Sequence, residues 1–295
     1  SEVGVAIPSV NGDLELQLGL DIEDGLAKFK LSKVVKLAPR YLIHNLLPFA
    51  VRLAESQGGD PILIDAGDRV PLHWLHVASN KHATIAYHDA ASEWTAPFSI
   101  DNIGFVYLRL IQHNEPQQLV QVDVQVHGPT VFVRLMPSSG AWPFLLRNET
   151  QHTVVFMQTA SPTESQRSTR DTNPKRYVLK PRSKMKYAWD YPADPDKYIR
   201  LQINGSERVI NILEIGSLLP FKFAARDNLS AGVVSLDVRA DETTQTLVIS
   251  DYTESKSNFK LLRDTGAAPG VGTVAAANAG HGSPGGDIRF KAVDI

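Results

Sequence analysis

The segment VQVDVQV at 120–126 alternates aliphatic and polar residues at every step. A period of two cannot build one face of a helix, whose faces repeat near 3.6 residues, but it is the natural period of a strand. It sets Val120, Val122, Val124 and Val126 toward a core, with Gln121, Asp123 and Gln125 away from it. LELQLGLDI repeats the pattern, with Leu14, Leu16, Leu18, Leu20 and Ile22 opposed to Glu15, Gln17 and Asp21. SLDVRA does so again, with Leu236 and Val238 against Asp237 and Arg239. Turn chemistry separates these runs, in VNGD (10–13), QGGDP (57–61), HGPT (127–130) and INGS (203–206). No amphipathic helix longer than about two turns stands out. The chain therefore reads as all-β, built of tandem antiparallel β-sandwich-like modules.

RYLIHN (40–45) and PFLLRN (143–148) end on asparagines 103 positions apart (148 − 45). ILIDAGDRVPLHW (62–74) echoes YVLKPRSKMKYAW (177–189) at an offset of 115 (189 − 74). The 12 additional positions (115 − 103) fit the polar, aperiodic stretch at 158–176, which reads as a long loop. WTAPFSI (94–100) has a weaker echo in SLLPFKF (217–223), and VQVDVQV aligns with VVSLDVRA, Asp123 with Asp237. The expected organisation is residues 1–37 as leading strands pairing with the first module, 38–139 as that module and 140–262 as the second. A Gly/Ala-rich linker at 263–287 and a strand-like end at 288–295 follow, the latter folding back or opening a next region. Asparagine tolerates the left-handed region and can bond nearby main chain, so Asn45 and Asn148 read as structural residues of the repeat.

Several functions are disfavoured. A formal charge of −2 supplies no basic face for nucleic acid or a membrane surface. There is no cysteine among 295 residues, which favours a reducing, cytoplasmic compartment. No apolar run approaches a membrane span, the start lacks the character of a signal peptide, and the triplets at Asn148, Asn204 and Asn228 read as chance sequons. His73, His76, His82 and His88 cluster in sequence, but no metal site is expected, because His73 and His76 would point to opposite faces of a strand. His88 beside Asp89 lacks a nucleophile elbow, GAAPGVG lacks a strand–turn–helix frame, and KFKLSKVVK (28–36) reads as a solvated strand face. No catalytic residue, enzyme activity or cofactor is expected. Trp74, Trp94, Trp142 and Trp189 fall at matched places and read mainly as core, with Trp142 set apart at the junction of the two modules.

Residues 23–45, EDGLAKFKLSKVVKLAPRYLIHN, resemble a segment of the vacuolar protein sorting 13 (chorein-type) bridge-like lipid-transfer proteins. Gly25, Leu26, Lys30, Leu31, Lys33, Val34, Val35, Pro39, Arg40, Tyr41 and Asn45 fit that pattern, while Ala27 and Ser32 replace a glycine and a threonine. Trp94, Pro97, Phe98 and Ile100 fit a second stretch, and the likeness covers 10–262. The resemblance implies an adaptor-binding domain made of a row of Asn-bearing β-modules, of which this chain holds two, the last pair. It implies adaptor partners that dock through short Pro-x-Pro motifs and recruit a lipid-transfer protein to membrane contact sites. The chain is then a monomer, peripheral at organelle membranes of endosome, vacuole or mitochondrion, with neither membrane insertion nor nucleic-acid binding. The other reading is an architectural β-repeat spacer without ligand; a carbohydrate-binding or hydrolytic sandwich lacks the facing carboxylates it would need.

For the peptide, the expected site is an edge strand of the second module, where unpaired backbone groups accept an extended chain. The expected contacts are Trp142, Phe144, Leu146, Arg147, Tyr187 and Trp189. They combine aromatics with a basic residue after the Gly- and Ser-containing PSSG, on the WPFLLRN strand and its neighbour KMKYAW. The competing expectation is that this strand is internal and its apolar residues are core.

Overall fold

The structure, a computed structural model, describes residues 2–56, 58–77, 80–89, 92–111, 118–138, 140, 142–159, 174–261 and 290–292. Most of the loop expected at 158–176 and the linker at 263–287 lie outside these residues. Among the described residues the helical content is one 3-10 turn, Ala27–Phe29; the rest of the regular structure is β. The chain forms two compact units, one of Ser1–Trp142 with Ala188–Pro195, the other of Pro143–Tyr187 with Asp196–Ile295. Residues 188–195, expected in the second module, thus belong to the first unit. There Arg109 donates through Nη2 to Ala188 O at 2.7 Å and pairs with the Asp190 carboxylate.

Unit 1 opens with β1 (Glu2–Pro8), β2 (Leu14–Asp24) and β3 (Lys33–Pro39), an antiparallel meander. Next come β4 (Tyr41–Asn45), β5 (Val51–Glu55), β6 (Ile62–Ile64), β7 (Arg69–Leu72), β8 (Trp74–His76), β9 (His82–Tyr87) and β10 (Phe98–Ser99). The unit's last strands are β11 (Gly104–Leu110), β12 (Gln118–His127) and β13 (Thr130–Pro137). A five-stranded sheet β11-β12-β13-β4-β7 and a four-stranded sheet β10-β9-β5-β6 share one core that includes Ile43, Leu53, Ile64, Ile85, Val122 and Val133. Two apolar faces packed on each other in this way make a β-sandwich.

Unit 2 repeats that topology with β14 (Phe144–Asn148), β15 (Val154–Thr159), β16 (Tyr177–Leu179), β17 (Ser183–Tyr187), β18 (Tyr198–Ile203) and β19 (Ser206–Ile210). It continues with β20 (Gly216–Phe223), β21 (Gly232–Asp241) and β22 (Thr244–Asp251). Its sheets run β17-β14-β22-β21-β20 and β16-β15-β18-β19, strand for strand the order of unit 1. Finally β23 (Phe259–Leu261) pairs antiparallel with β24 (Phe290–Ala292). The hairpin at 203–206 turns through Asn204 (φ 49) and Gly205 (φ 80), the two positive φ values that Asn-Gly accommodates. Each five-stranded sheet contains one parallel pair, β4 with β13 and β14 with β22, so the sheets are mixed. A parallel pair needs a long crossover, and here the whole four-stranded sheet supplies it. The echo between 94–100 and 217–223 is out of step with this order: β20 corresponds to β11, and β10 to β19.

The equivalences extend to the leading meander. Asp21, Asp123 and Asp237 occupy one position, opposite Lys36, Arg134 and Val248, so β1–β3 carry the pattern of β11–β13 and β20–β22. Their setting differs. Val133, Leu135, Leu247 and Ile249 are fully or almost fully buried, whereas the matching Val35 and Leu37 are 54% and 65% exposed. The Leu14-to-Ile22 row is half-buried, and its four-stranded sheet, with β8 paired to β2, leaves an apolar face partly open. Val126, expected to face inward, is exposed at the end of β12, as are Trp74 and Trp94. Trp74 begins β8, and Trp94 lies in the irregular segment before β10 with the Arg52 guanidinium 5.0 Å from its ring centroid.

Truncation should separate these settings. Leu135→Ala should cost about 2–5 kcal/mol, as cavities in packed cores do. Leu37→Ala should stay within about 0.5 kcal/mol, as exposed positions do. Urea melts of both variants check this; equal losses would mean that the leading meander is packed as tightly as the core.

Candidate functional site

Asn45 closes β4 at a point where every polar group it owns is engaged. Its side-chain Nδ2 donates to Phe49 O (2.9 Å), Ile64 O (3.0 Å) and Asp65 O (3.1 Å), and its Oδ1 accepts from Leu47 N (3.1 Å). Its backbone N–H donates to Asp68 O, and its carbonyl accepts from Gly67 N. Asn148 closes β14 in the same manner, its Nδ2 donating to His152 O (2.7 Å), Leu179 O (3.4 Å) and Lys180 O (3.0 Å). Its Oδ1 accepts from the backbone N–H of Thr150 at 3.0 Å and from its hydroxyl at 2.8 Å. Both asparagines are buried. In each unit the amide sits in the five-stranded sheet and reaches the last residue of the outer strand of the four-stranded sheet, Ile64 of β6 or Leu179 of β16. A buried side chain at the sequon Asn148 is also closed to a glycan in the folded chain.

The six expected peptide contacts separate by environment. Phe144, Leu146 and Tyr187 are buried, and the Tyr187 ring packs 5.4 Å from Phe156 and 5.7 Å from Tyr177. Trp142 and Trp189 are half-buried and belong to the first unit, apart from the other four. Arg147 is half-buried on the opposite face of β14, and its Nη2 pairs with Glu149 Oε1 at 2.5 Å. The expectation that β14 is an edge is corrected: it pairs with β17 on one side and β22 on the other. The parallel partner lies about a hundred residues away in sequence, so no local pattern reveals it.

The two edges of this sheet are β20 and β17, and β17 has β14 as its strand partner. The strand register places Leu145, Lys186 and Thr246 in one cross-strand row on the outer face, and Arg147, Lys184 and Val248 in the next. Lys184 and Lys186 are exposed. Among the described residues, two buried polar atoms in these rows lack a hydrogen-bond partner, Arg147 Nε and Thr246 Oγ1. Such atoms are uncommon in native interiors. The strand at 183–187 shows its lysines at every second position, a signal present in the sequence; Thr246 has no signal there, because its neighbours come from the parallel pairing.

Little here has the character of a reaction centre. His76 donates through its backbone N–H to Glu55 at 2.9 Å, and its ring Nδ1 lies 3.1 Å from the same carboxylate. No group of three or more His, Cys, Asp or Glu side chains able to hold a metal occurs among the described residues. Nor, among them, is any helix long and apolar enough to cross a membrane.

Comparison with known proteins gives this frame a context. Residues 1–196 match the family model described as vacuolar-sorting associated protein 13, adaptor binding domain. The intermembrane lipid transfer protein VPS13 of Chaetomium thermophilum is 35% identical over 273 residues, 92% of this chain and 8% of that protein. Two Dictyostelium discoideum proteins, intermembrane lipid transfer proteins vps13A and vps13E, are 22% and 21% identical over 209 and 270 residues. Those matches cover 56% and 83% of this chain and 6% of each relative. The chain thus spans less than a tenth of the length of these relatives.

Replacement of the strand-end amides tests their structural weight. Asn148→Ser should leave the carbonyls of 152, 179 and 180, the second of them buried, without the amide donor and cost about 1–3 kcal/mol. Asn148→Asp keeps the shape but can donate to none of them when ionised, and should lose at least as much. Hydrogen exchange should show the loosening in unit 2 alone for Asn148 variants and in unit 1 alone for Asn45→Ser. Exchange unchanged from the parent would assign the amides a role outside the framework.

Proposed function

This chain belongs to the vacuolar-sorting protein 13 adaptor-binding domain family, and from that premise we propose that it is a non-catalytic module that captures adaptor proteins by short Pro-x-Pro peptides. The adaptor then holds the lipid-transfer protein, of which such a domain is one part, at membrane contact sites. The peptide docks as an added strand along β17, an edge strand of unit 2. The observation that carries this reading is that β17 has a partner on one side and flanks a row of cations.

An edge strand presents backbone N–H and C=O groups at a spacing that an extended peptide matches. Proline cannot donate, so a peptide with two prolines one residue apart keeps its donors for the residues between and around them. Lys184 and Lys186, exposed on β17, give the edge positive charge that favours a peptide with acidic flanks, with the Arg147–Glu149 pair on the neighbouring strand. Arg147 Nε is a further group that an ordered water beside the edge can satisfy. Phe144, Leu146 and Tyr187 act from beneath, as the packed floor that keeps the edge straight.

Titration of a labelled Pro-x-Pro peptide into the chain tests the site. Lys186→Glu and Arg147→Glu, each with an unchanged melting temperature, should weaken binding at least tenfold, about 1.4 kcal/mol. Tyr187→Ala is a poor test, since it removes a core ring. If both charge reversals bind like the parent, the peptide lies elsewhere; if no Pro-x-Pro peptide binds the parent, the ligand class is wrong.

A further inference from the structure

The two units share a frame but are filled differently at one end. The strand pairings make Leu53 equivalent to Phe156, Ile62 to Tyr177, Leu72 to Tyr187 and Ala83 to Ile199. All four positions lie at the end of the sandwich remote from the asparagine, and at all four the side chain in unit 1 is the smaller. In unit 2 the three rings fill that end as a cluster, with centroids 5.1 to 5.7 Å apart. In unit 1 the same place is a cavity of about 300 Å³ lined by Leu53, Ile62, Leu72 and Ala83, with Trp74, 51% exposed, at its mouth.

We infer that this cavity is a second peptide-docking pocket, one that receives an aromatic side chain next to a basic residue of a partner protein. The size follows from the repeat: the space is the one that aromatic side chains occupy in unit 2. The charge follows from the lining. Lys81 is met by Glu15 at 3.0 Å and by the His76 carbonyl at 3.0 Å, and Glu55 accepts from the His76 backbone N–H at 2.9 Å, so the exposed Asp60 is the lining carboxylate that faces a ligand, beside the charge of Glu55. The hydrogen bond from Lys81 holds the Glu15 carboxyl below the usual carboxylate range, so Glu15 stays ionised and engaged with Lys81. An anionic ligand would meet repulsion here, while an arginine or lysine beside the inserted ring would meet Asp60 and the nearby charge of Glu55. A peptide suits the site because Ile62 belongs to β6, an edge strand whose one strand partner is β5. Pockets of this size, apolar with a few polar groups, commonly hold ligand side chains. The pocket is confined to unit 1 and does not depend on where a Pro-x-Pro peptide docks in unit 2.

The test is methyl NMR on the whole chain with three capped dipeptides, acetyl-Phe-Arg-amide, acetyl-Ala-Arg-amide and acetyl-Phe-Glu-amide. The Phe-Arg probe should shift the methyls of Leu53, Ile62 and Leu72 saturably, and the other two should bind at least about tenfold more weakly. Leu72→Tyr, which restores one ring of unit 2, should abolish the shifts while leaving Pro-x-Pro binding intact. Should Leu72→Tyr fail to fold, Asp60→Asn and Trp74→Ala, both at exposed positions, should each weaken the Phe-Arg probe instead. No methyl shift, equal binding of the Ala-Arg probe or undiminished binding by Leu72→Tyr would overturn the pocket. Equal binding of the Phe-Glu probe would overturn its preference for a basic neighbour. Nuclear Overhauser contacts from these methyls to another part of the free chain would show the cavity filled from within, and would overturn it as well.

Discussion

Two sheets packed face to face are held apart by the side chains between them, and their backbones lie too far apart to bond directly. The amides of Asn45 and Asn148 solve this locally. Each is short enough to be buried at a strand end, carries donors and an acceptor, and has no charge to desolvate. Through it the closing turn of one sheet and the last residue of the other are joined at bonding distance, 3.0 Å to Ile64 O in unit 1 and 3.4 Å to Leu179 O in unit 2. Serine is too short to reach three carbonyls, aspartate cannot donate to them when ionised, and glutamine would carry its amide a methylene too far. Such a bond set fixes the register between sheets that hydrophobic packing alone leaves loose.

What was legible in the sequence was what is encoded locally. Alternation gave the strands at 14–22, 120–126 and 234–238, and Asn-Gly or Gly-Pro gave their turns. The echo of two hexamers and the offset of 12 residues led to the two sandwiches and to their matching asparagines. What stayed hidden depends on pairing at long range. The sequence of 143–148 reads equally well as an edge or an interior strand, and its parallel partner 245–249 settles the matter. The exposure of Val35 agrees with the solvated face read at 28–36, but that of Leu37 is hidden, because its pattern is that of the buried strands in either unit. The cavity of unit 1 could have been suspected by setting Leu53, Ile62 and Leu72 beside Phe156, Tyr177 and Tyr187, but only once the pairing showed that these residues meet.

The insertion that separates the two offsets shows why one frame tolerates such variation. Between Leu53 and Ile62 lie 8 residues, and between Phe156 and Tyr177 lie 20 (62 − 53 − 1 and 177 − 156 − 1). Loop-closure entropy grows with the logarithm of length, so the longer loop costs about 1 kcal/mol more. One set of buried amide bonds is enough to offset that difference. The strand pairs on either side, Leu53 with Ile62 and Phe156 with Tyr177, are therefore kept while the connection between them changes.

A frame fixed at one end through backbone carbonyls leaves the other end free to diverge. The asparagine bonds main-chain atoms, which every residue has, so its demands do not restrict the side chains at positions such as 53, 62 and 72 or their counterparts. Those positions lie at the remote end of the sandwich, where rings close the core in one unit and aliphatic side chains leave space in the other. Binding surfaces can then differ from unit to unit without loss of the fold, as loops and strand ends do on other rigid scaffolds. Repetition in this chain is thus a repetition of backbone geometry, and it is in the departures from that repetition that recognition by each unit is to be sought.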